Sequence, residues 1–375
     1  MKTYSGFNLS LISFILLGLL LITVLNLAFD PYGVHNAPKI LKLNYLKPVQ
    51  YNNIKLFKAV KVAQIKPKTV FLGSSRTGIG LDPTHPVITN LPSYNLALVG
   101  SNIYEINHYL KHAIANQPQL NTVVLGIDFF MFNAFHQNGA DFNLDRLNKT
   151  AITNQDFLNT VLSTDALVSS IETIQANIKP QEYKLLNSNG LHYTSYLTQP
   201  NISKKFKNTI SAYLNKGGAY YQYQISQEFL ARFQEIVELC QQNNIDLKVF
   251  ISPSHATQWE AIYTAGIWSE FEQWKRKIVK ITPVWDFSGY NSITTETISK
   301  EMVNYWDSSH YTKAVGDLIL NRIFQYREET VPQDFGILIT PQNIESHLLE
   351  IQSQRQAWIE NNPETLKFVN NLKRR

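Results

Sequence analysis

An apolar segment near the N-terminus places the strongest constraint on this 375-residue chain. Leu9 to Phe29 contains no charged side chain over 21 residues, and a helix needs about 20 apolar residues to cross a bilayer. The segment therefore predicts an uncleaved transmembrane anchor over residues 1–30, with the membrane as a partner. A cleavable signal peptide is the alternative. It is less favoured because the apolar core is long and Asn26 and Ala28 occupy the positions where small residues would be needed.

The charges around this segment indicate how the chain is oriented. Only the α-amine and Lys2 precede the apolar run, while Lys39, Lys42 and Lys47 follow it. The lysines alone do not settle the orientation, but the very short N-terminal head favours a body outside the cytoplasm. We expect a single-pass membrane protein whose folded domain is extracytoplasmic.

Composition excludes several classes of protein. Hydrophobic residues make up 44% of the chain, which is enough for a large core, and the net charge is only +5. Because lysine and arginine are dispersed along most of the chain, no nucleic-acid partner is predicted. The single cysteine, Cys240, excludes an internal disulfide and a multi-cysteine metal site, and its helical context predicts a packing role. With no HExxH pattern either, we expect no metal and no cofactor.

Strand patterns and helix patterns alternate along the chain. Short β-branched or apolar runs that predict strands occur in "TVFL", "NLALV", "TVVLGIDFFMF", "VFI" and "ITPVW". The segments between them contain apolar residues at helical spacing. This alternation predicts an α/β fold with a parallel sheet covered on both faces, whose ligands bind at the carboxyl ends of the strands.

The chain after the anchor divides into three parts, and the second part contains an insertion. Residues 31–67 are expected to form a connecting arm with a short helix, and residues 68–330 the α/β domain. Within that domain, residues about 137–230 are rich in Asn, Gln, Ser and Thr and lack alternating strands, so we predict a helical insertion over the sheet edge or the site. Residues 331–375 are expected to form a charged, mostly helical tail.

The first strand runs directly into Gly-Ser-Ser-Arg, residues 73–76. Gly and Ser are ordinary turn residues after a strand, but such a turn can also present a nucleophilic serine, which needs a histidine and a carboxylate as partners. Asp307 and His310 lie three residues apart just before an apolar-periodic helix. That spacing can hold the carboxylate against one imidazole nitrogen while the other nitrogen faces the serine.

These motifs resemble the SGNH/GDSL hydrolase superfamily, and the resemblance covers roughly residues 68–135 and 245–325. Superposing "LGSSR" on the family's Gly-Asp-Ser assigns the nucleophile to Ser75 and sets Ser74 in place of the Asp. The resemblance implies that His310 is the base, oriented by Asp307. The segment "NLALVGSN" is similar to the second family block, which implies that the backbone N–H groups of Ser75 and Gly100 stabilise the oxyanion. The implied fold is a single flavodoxin-like domain.

The third family block departs from this pattern. The family usually has Gly-x-Asn-Asp, whereas this chain reads "LGIDFFMFN", with Asp128 at or next to the position of the donor Asn. An ionised carboxylate cannot donate a hydrogen bond and would repel an oxyanion. Either Asn133 replaces the donor from the following loop, or two backbone donors suffice. We expect Asp128 to be a structural acceptor that binds the N–H groups of the loop "FFMFN".

Two further residues are candidates for lining the site together with Ser74 and Asp128. Arg76 follows the candidate nucleophile, and we interpret it as a surface or structural ion-pair residue rather than a substrate clamp. His255 follows a strand end, from which it could reach the crevice, although a solvated loop position is favoured.

The departures from the family pattern resemble membrane-anchored extracytoplasmic members associated with O-acylation of cell-envelope polymers. The resemblance implies a serine esterase or O-acyltransferase that acts on an ester-linked acyl group, expected to be acetyl, of a glycan. Its partners would be an acylated glycan or an acyl-donor protein. Water or a sugar hydroxyl could be the acceptor. The alternative hypothesis is a catalytically degenerate SGNH domain that binds glycan or scaffolds envelope assembly, because Asp128 stands in the donor block.

Overall fold

The structure is a computed structural model. It describes residues 2–35, 37–151, 153–179, 181–195 and 201–373. The strands are β1 (Thr69–Leu72), β2 (Ser93–Asn95), β3 (Thr122–Ile127), β4 (Tyr183–Leu186), β5 (His192–Ser195), β6 (Asp246–Ile251), β7 (Val284–Asp286) and β8 (Ile337–Ile339). The α-helices are α1 (Lys2–Phe29), α2 (Pro48–Asn52), α3 (Ile54–Ile65), α4 (Ser75–Gly80), α5 (Ile103–Asn116), α6 (Leu144–Leu147), α7 (Asn154–Val161), α8 (Thr164–Ile178), α9 (Ile202–Leu214), α10 (Gln227–Gln242), α11 (Ala256–Ala265), α12 (Trp268–Ile281), α13 (Lys313–Ile323), α14 (Ile344–Asn361) and α15 (Pro363–Asn370).

A six-stranded sheet in the order β2-β1-β3-β6-β7-β8 forms the centre of the domain. The first five strands in that order are parallel, and β8 pairs with β7 in the antiparallel direction. The prediction of an α/β fold with a parallel sheet is confirmed for these five strands, whereas the antiparallel edge strand β8 was not predicted. The parallel strands follow the flavodoxin-like order, in which ligands bind at the carboxyl ends near the point where the strand order reverses, between β1 and β3.

Both faces of this sheet are buried, as the apolar strand sequences require. Val70 and Leu72 of β1 belong to one apolar cluster, which includes side chains of α5 and α10. Phe71 belongs to a second cluster, which includes Val315 and Ile319 of α13. Successive side chains of a strand point to opposite faces, so a single strand contributes to both clusters.

The predicted helical insertion contains strands as well as helices. Within residues 137–230, α6 to α9 are present, but β4 and β5 also form an antiparallel hairpin. Gly190, with a φ of +83°, lies in its turn. An isolated hairpin has little stability of its own, and this one is supported by α2 and α4. Because these supporting elements lie more than a hundred residues earlier in the chain, the local sequence contained no clear strand signal.

The C-terminal tail contributes to the sheet and to the core. Its first strand, β8, pairs with β7, and α14 buries Leu348, Ile351 and Trp358 in the larger apolar cluster. These positions recur at helical spacing and form one face. The tail is therefore helical, as predicted, but it also adds an edge strand to the domain.

The arm predicted over residues 31–67 is also more closely integrated than expected. It contains α2 and α3, and α3 packs against α5. Ala59 and Val62 of α3 are fully enclosed in the larger apolar cluster. The expected N-terminal apolar helix is confirmed, because Gly6–Phe29 of α1 is long and apolar enough to cross a membrane.

Helix α13, which follows the Asp307–His310 turn, packs against α4, which begins at Ser75. The contact is a close approach of two backbones, since a Cβ atom at Gly316 would overlap the carbonyl oxygen of Gly80. A glycine at 316 therefore lets the two helices approach closely enough to bring their preceding turns together.

We expect Gly316→Ala to lower the free energy of unfolding by about 1–3 kcal/mol, the usual cost of overpacking a well-packed contact. Thermal or urea unfolding of the full chain measures this change. Ala314→Ser is the matched control, because Ala314 lies on the same helix and is exposed. Equal stability of Gly316→Ala and the control would contradict the close approach.

Candidate active site

The turn after β1 is built around Gly73, Ser74 and Ser75. Gly73 has a φ of +145°, and a Cβ atom there would overlap Thr77 Oγ1 and the Gly126 carbonyl oxygen. Ser74 is the N-cap of α4, and its Oγ accepts a hydrogen bond from the backbone N–H of Arg76. Ser75 is then the first residue of the helix, so its own N–H has no acceptor within the helix.

Ser75, His310 and Asp307 form a continuous hydrogen-bonded chain. Ser75 Oγ lies 2.9 Å from His310 Nε2, and His310 Nδ1 lies 2.8 Å from Asp307 Oδ2. The other carboxylate oxygen, Oδ1, accepts the backbone N–H groups of Ser309 and His310 at 2.7 and 3.0 Å. The three side chains predicted to act together are thus brought into contact.

The electrostatics of Asp307 determine the direction of the hydrogen bonds in this chain. Burial alone would raise the pKa of Asp307, but His310 and the two backbone donors outweigh it, and the pKa is lowered from its ordinary value. The carboxylate is therefore ionised at neutral pH and accepts from His310 Nδ1–H. His310 Nε2 is left as the acceptor for the Ser75 hydroxyl, which is the arrangement needed to remove its proton.

The segment after β2 carries Gly100 along the same edge of the sheet. The backbone N–H of Leu98 donates to the Gly73 carbonyl at 2.8 Å, and Ser101 Oγ donates to the same carbonyl at 3.3 Å. Gly100 lies between these two residues, with a φ of +59°, and its carbonyl bonds to His136 Nε2. The loop of Gly100 is therefore tied to the turn that carries Ser75.

Asp128 is a structural acceptor, but not for the partners that were predicted. Its Oδ1 accepts from Arg76 Nη1 at 2.9 Å and its Oδ2 from Ser74 Oγ at 2.5 Å. It makes no side-chain capping bond to the 3₁₀ turn Phe129–Phe132, so the expectation that it holds the loop "FFMFN" is wrong. Side-chain donors from the β1 turn reach the carboxylate instead.

Arg76 forms a structural ion pair and is buried, which excludes a surface position. Burial would lower the pKa of Arg76, but Asp128 raises it, so the guanidinium stays charged. Its Nε donates to Ser309 Oγ at 3.0 Å and its Nη2 to Tyr213 Oη at 3.3 Å. One side chain thus connects the serine turn with the loop between Asp307 and His310.

Asn133 is held away from the role of oxyanion donor. Its Nδ2 donates to the Ala219 carbonyl at 3.1 Å, and its Oδ1 accepts the backbone N–H groups of Phe135 and Gln224. These bonds fix the loop after β3 to the segment that precedes α10. Within the described part of the chain, no hydrogen bond joins Asn133 to Ser75 or His310.

His255 is buried, so the prediction of a solvated loop histidine is wrong, and its ring does not line the crevice. Its Nδ1 accepts from the Thr257 N–H, and its Nε2 bonds to the Glu296 carbonyl at 2.7 Å. Burial lowers the pKa of His255 to about 4, so the ring is neutral. The backbone N–H of His255 donates to the Ser308 carbonyl. This bond helps to fix the loop that carries Asp307 and His310.

A buried lysine–histidine pair beside the site was not anticipated. Lys58 Nζ donates to the Ala97 carbonyl at 2.6 Å and lies 2.8 Å from His192 Nε2. Burial lowers the pKa of Lys58 and the pKa of His192 well below their ordinary values. Since Ala97 lies in the segment that leads to Gly100, Lys58 fixes the position of that loop. Lys58 lies in the predicted arm, and nothing in its local sequence marked it.

Two other residues of the site lacked a clear sequence signal. Ser309 lies inside the motif "DSSH", where only its position between Asp307 and His310 suggested a role. Tyr213 comes from α9 in the insertion, and its hydroxyl lies 3.1 Å from Ser309 Oγ. The insertion thus contributes a side chain to the wall of the site.

The arrangement can activate a hydroxyl group as a nucleophile. Among the described residues, no group of three or more His, Cys, Asp or Glu side chains could hold a metal ion. Comparisons with protein-family models and with curated proteins find no match to this chain. The inference about chemistry therefore depends on the geometry of the site and on the motif resemblance.

We expect Asp128→Asn to destabilise the protein by about 3 kcal/mol, because removing one partner leaves the other charge of a buried pair uncompensated. Unfolding of the full chain measures the loss. Glu345→Gln is the control, since it breaks an exposed pair with Arg276 and should leave the melting temperature nearly unchanged.

The catalytic rate separates this structural role from repulsion of an oxyanion. kcat/KM on a simple aryl acetate should fall or stay level in Asp128→Asn. A clear rise in kcat/KM at an unchanged melting temperature would show that the Asp128 carboxylate acts directly on the reacting oxygen.

Proposed function

We propose that this chain is a membrane-anchored, SGNH-like serine esterase or O-acyltransferase. Its substrate would be an ester-linked acyl group, expected to be acetyl, on an extracytoplasmic glycan. The observation that carries the proposal is the hydrogen-bonded chain from Ser75 through His310 to Asp307, with distances of 2.9 and 2.8 Å. Its position at the carboxyl edge of a parallel sheet, where such folds bind ligands, supports the same conclusion.

The first half-reaction forms an acyl-enzyme. His310 Nε2 takes the proton of the Ser75 hydroxyl while Oγ attacks the acyl carbonyl carbon. The carbonyl oxygen becomes negative, and the imidazolium is stabilised by Asp307. When the carbon–oxygen bond to the leaving alcohol breaks, His310 returns its proton to that alcohol, and the acyl group remains on Ser75 as an ester.

The second half-reaction releases the acyl group. His310 removes a proton from water or from a sugar hydroxyl, and the resulting oxygen attacks the acyl carbon. Ser75 leaves and recovers its proton from His310. Water makes the protein an esterase, and a sugar hydroxyl makes it a transferase.

The developing oxyanion needs hydrogen-bond donors, and two backbone groups are available in this proposal. The N–H of Ser75 lies at the start of α4, and the N–H of Gly100 lies on the adjacent loop. Each such donor is worth about 3 kcal/mol in the transition state. Asn133 is not included, because its amide bonds to the Ala219 carbonyl.

The negative charge of Asp128 does not argue against catalysis, because Arg76 compensates it. Arg76 Nη1 lies 2.9 Å from Asp128 Oδ1. The hypothesis of a degenerate binding domain rested on that carboxylate. A pure binding domain also has no need for a serine hydroxyl hydrogen-bonded to an oriented histidine. Catalysis is therefore the better-supported proposal, with an acylated glycan or an acyl-donor protein as the source of the acyl group.

A fluorophosphonate probe tests the proposed nucleophile, since the probe reacts with an activated serine. We expect Ser75→Ala and His310→Ala each to abolish labelling of the full chain. Ser74→Ala should retain a substantial part of it, because Ser74 Oγ bonds to Asp128 rather than to His310.

Melting temperatures of the three variants provide the control for folding. Labelling that survives Ser75→Ala but is lost in Ser74→Ala would move the nucleophile to Ser74. Absence of labelling in the folded wild-type protein would favour the binding-domain hypothesis.

Topology is tested by a reporter fused after Arg375. Because α1 is the one candidate span among the described residues and the proposed glycan substrate is extracytoplasmic, we expect the reporter to be accessible from outside the cytoplasm. Accessibility from the cytoplasmic side alone would contradict the envelope-glycan proposal, although it would leave the serine chemistry intact.

A further inference from the structure

The last turns of α1 are packed against the insertion. Asn26 lies within the apolar span and is fully buried. Its Nδ2 donates to the Val161 carbonyl of α7, and its Oδ1 accepts from Ser170 Oγ of α8, both at 2.8 Å. A buried amide is costly unless it is hydrogen-bonded. Helices α7 and α8 thus supply the hydrogen-bond partners of the Asn26 side-chain amide.

The position of Asn26 fixes the height of α7 and α8 relative to a bilayer. The apolar span Gly6–Phe29 has 24 residues, which corresponds to about 36 Å of helix for a hydrocarbon core of about 30 Å. Asn26 lies three residues before the end of the span. The two helices therefore meet α1 where it leaves the hydrocarbon.

The loop of residues 38–45 is fixed at the same height. Asn44 Nδ2 donates to the Ala28 carbonyl at the end of α1, and Asn44 Oδ1 accepts the N–H of Ile40. Ile40 and Leu41 are 51% and 74% exposed. They lie beside the exposed Lys39 and Lys42. Apolar side chains flanked by lysines are typical of segments that lie in a membrane interface.

Helix α8 lacks a large apolar buried face. Its buried face consists of small or polar residues, and its exposed side includes Val168, Ile171 and Ile178. The same exposed side also carries Asp165, Glu172 and Gln175. The buried positions are Ala166, Ser169, Ser170, Thr173 and Ala176. About half of the large exposed apolar side chains described outside α1 belong to α7, α8, the two residues that join them and the loop 38–45. Such concentration marks an interaction surface.

We propose that α7, α8 and the loop 38–45 form a second membrane contact, which inserts its apolar side chains at the level of the lipid head groups around the end of α1. We call it the interfacial surface. Its large exposed members are Ile40, Leu41, Tyr45, Phe157, Leu158, Leu162, Val168, Ile171 and Ile178. The occupant is lipid because the surface is continuous with the proposed membrane-spanning helix. The inference rests on the proposed anchoring by α1 and is independent of the serine chemistry.

Spin labels on the full chain in lipid vesicles test this proposal. The native Cys240 is buried, and burial raises the pKa of its thiol to about 12, so single cysteines introduced elsewhere can be labelled selectively. The probe is a nitroxide at Ile171→Cys or Ile178→Cys in phosphatidylcholine–phosphatidylglycerol vesicles. Relaxation of the nitroxide by oxygen, which concentrates in lipid, is compared with its relaxation by a water-soluble nickel chelate.

Leu349→Cys on α14 is the matched control, since it is an equally apolar position that is 66% exposed. Leu17→Cys in the middle of α1 is the reference for lipid. We expect the ratio of oxygen to nickel relaxation at 171 and 178 to be severalfold higher than at 349 and to remain below the ratio at 17, because the head-group level lies between water and the bilayer centre.

Each other outcome overturns a distinct statement. A label at 17 that behaves as if in water overturns the anchoring and the inference together. If 17 lies in lipid but 171 and 178 relax like 349, the interfacial surface faces water and the inference is wrong. Labels at 171 and 178 that are shielded from both agents would mean that protein covers this face, which also overturns the inference.

Discussion

The buried ion pair between Arg76 and Asp128 connects the parts of the candidate site. Arg76 follows Ser75 on α4, Asp128 follows β3, and Arg76 also donates to Ser309 Oγ in the loop of Asp307 and His310. One guanidinium therefore relates the serine turn, the neighbouring strand end and the histidine loop. Because desolvation offsets most of the attraction in a buried pair, we interpret its main contribution as positioning. A displacement of either partner would move Ser75 relative to His310.

The same pair accounts for the departure from the motif that the sequence resembles. That motif has an Asp before the serine and an Asn after the third strand, whereas this chain has Ser74 and Asp128. Relative to that motif, the carboxylate stands after the third strand instead of before the serine, and the Ser74 and Asp128 side chains are hydrogen-bonded at 2.5 Å. Asp128 is thus the single carboxylate at these two motif positions, and Arg76 compensates its charge. In the proposed mechanism, oxyanion stabilisation is left to backbone donors, and the loop of Gly100 is tied to Gly73 and Lys58.

The sequence predicted those features that depend on local pattern or on sheet geometry. Runs such as Val123–Leu125 identified the strands, and the spacing of Asp307 and His310 together with the motif resemblance implied that Ser75 and His310 could meet. The solvated position predicted for His255 is wrong, and of the two alternatives left open for the oxyanion donor the hydrogen bonds of Asn133 do not favour the one that uses its amide. Both side chains depend on remote partners. Ala219 binds Asn133 across 86 positions of the chain, and Glu296 binds His255 across 41. No local pattern encodes such contacts, and the pairing of β8 is of the same kind.

The insertion was difficult to interpret because its polar residues face inward. Ser170 of α8 donates to Asn26, and Asn177 bonds to the backbone N–H and carbonyl of Leu46. A sequence analysis that expects apolar residues on the buried face of a helix would predict that the polar face of α8 is exposed to solvent. Its actual neighbours connect the end of α1 to α8, while the hairpin β4–β5 of the same insertion packs His192 against Gly78 of α4. The insertion thus links the proposed anchor to the helix that begins at Ser75, so the direction in which the serine faces is fixed relative to the axis of α1.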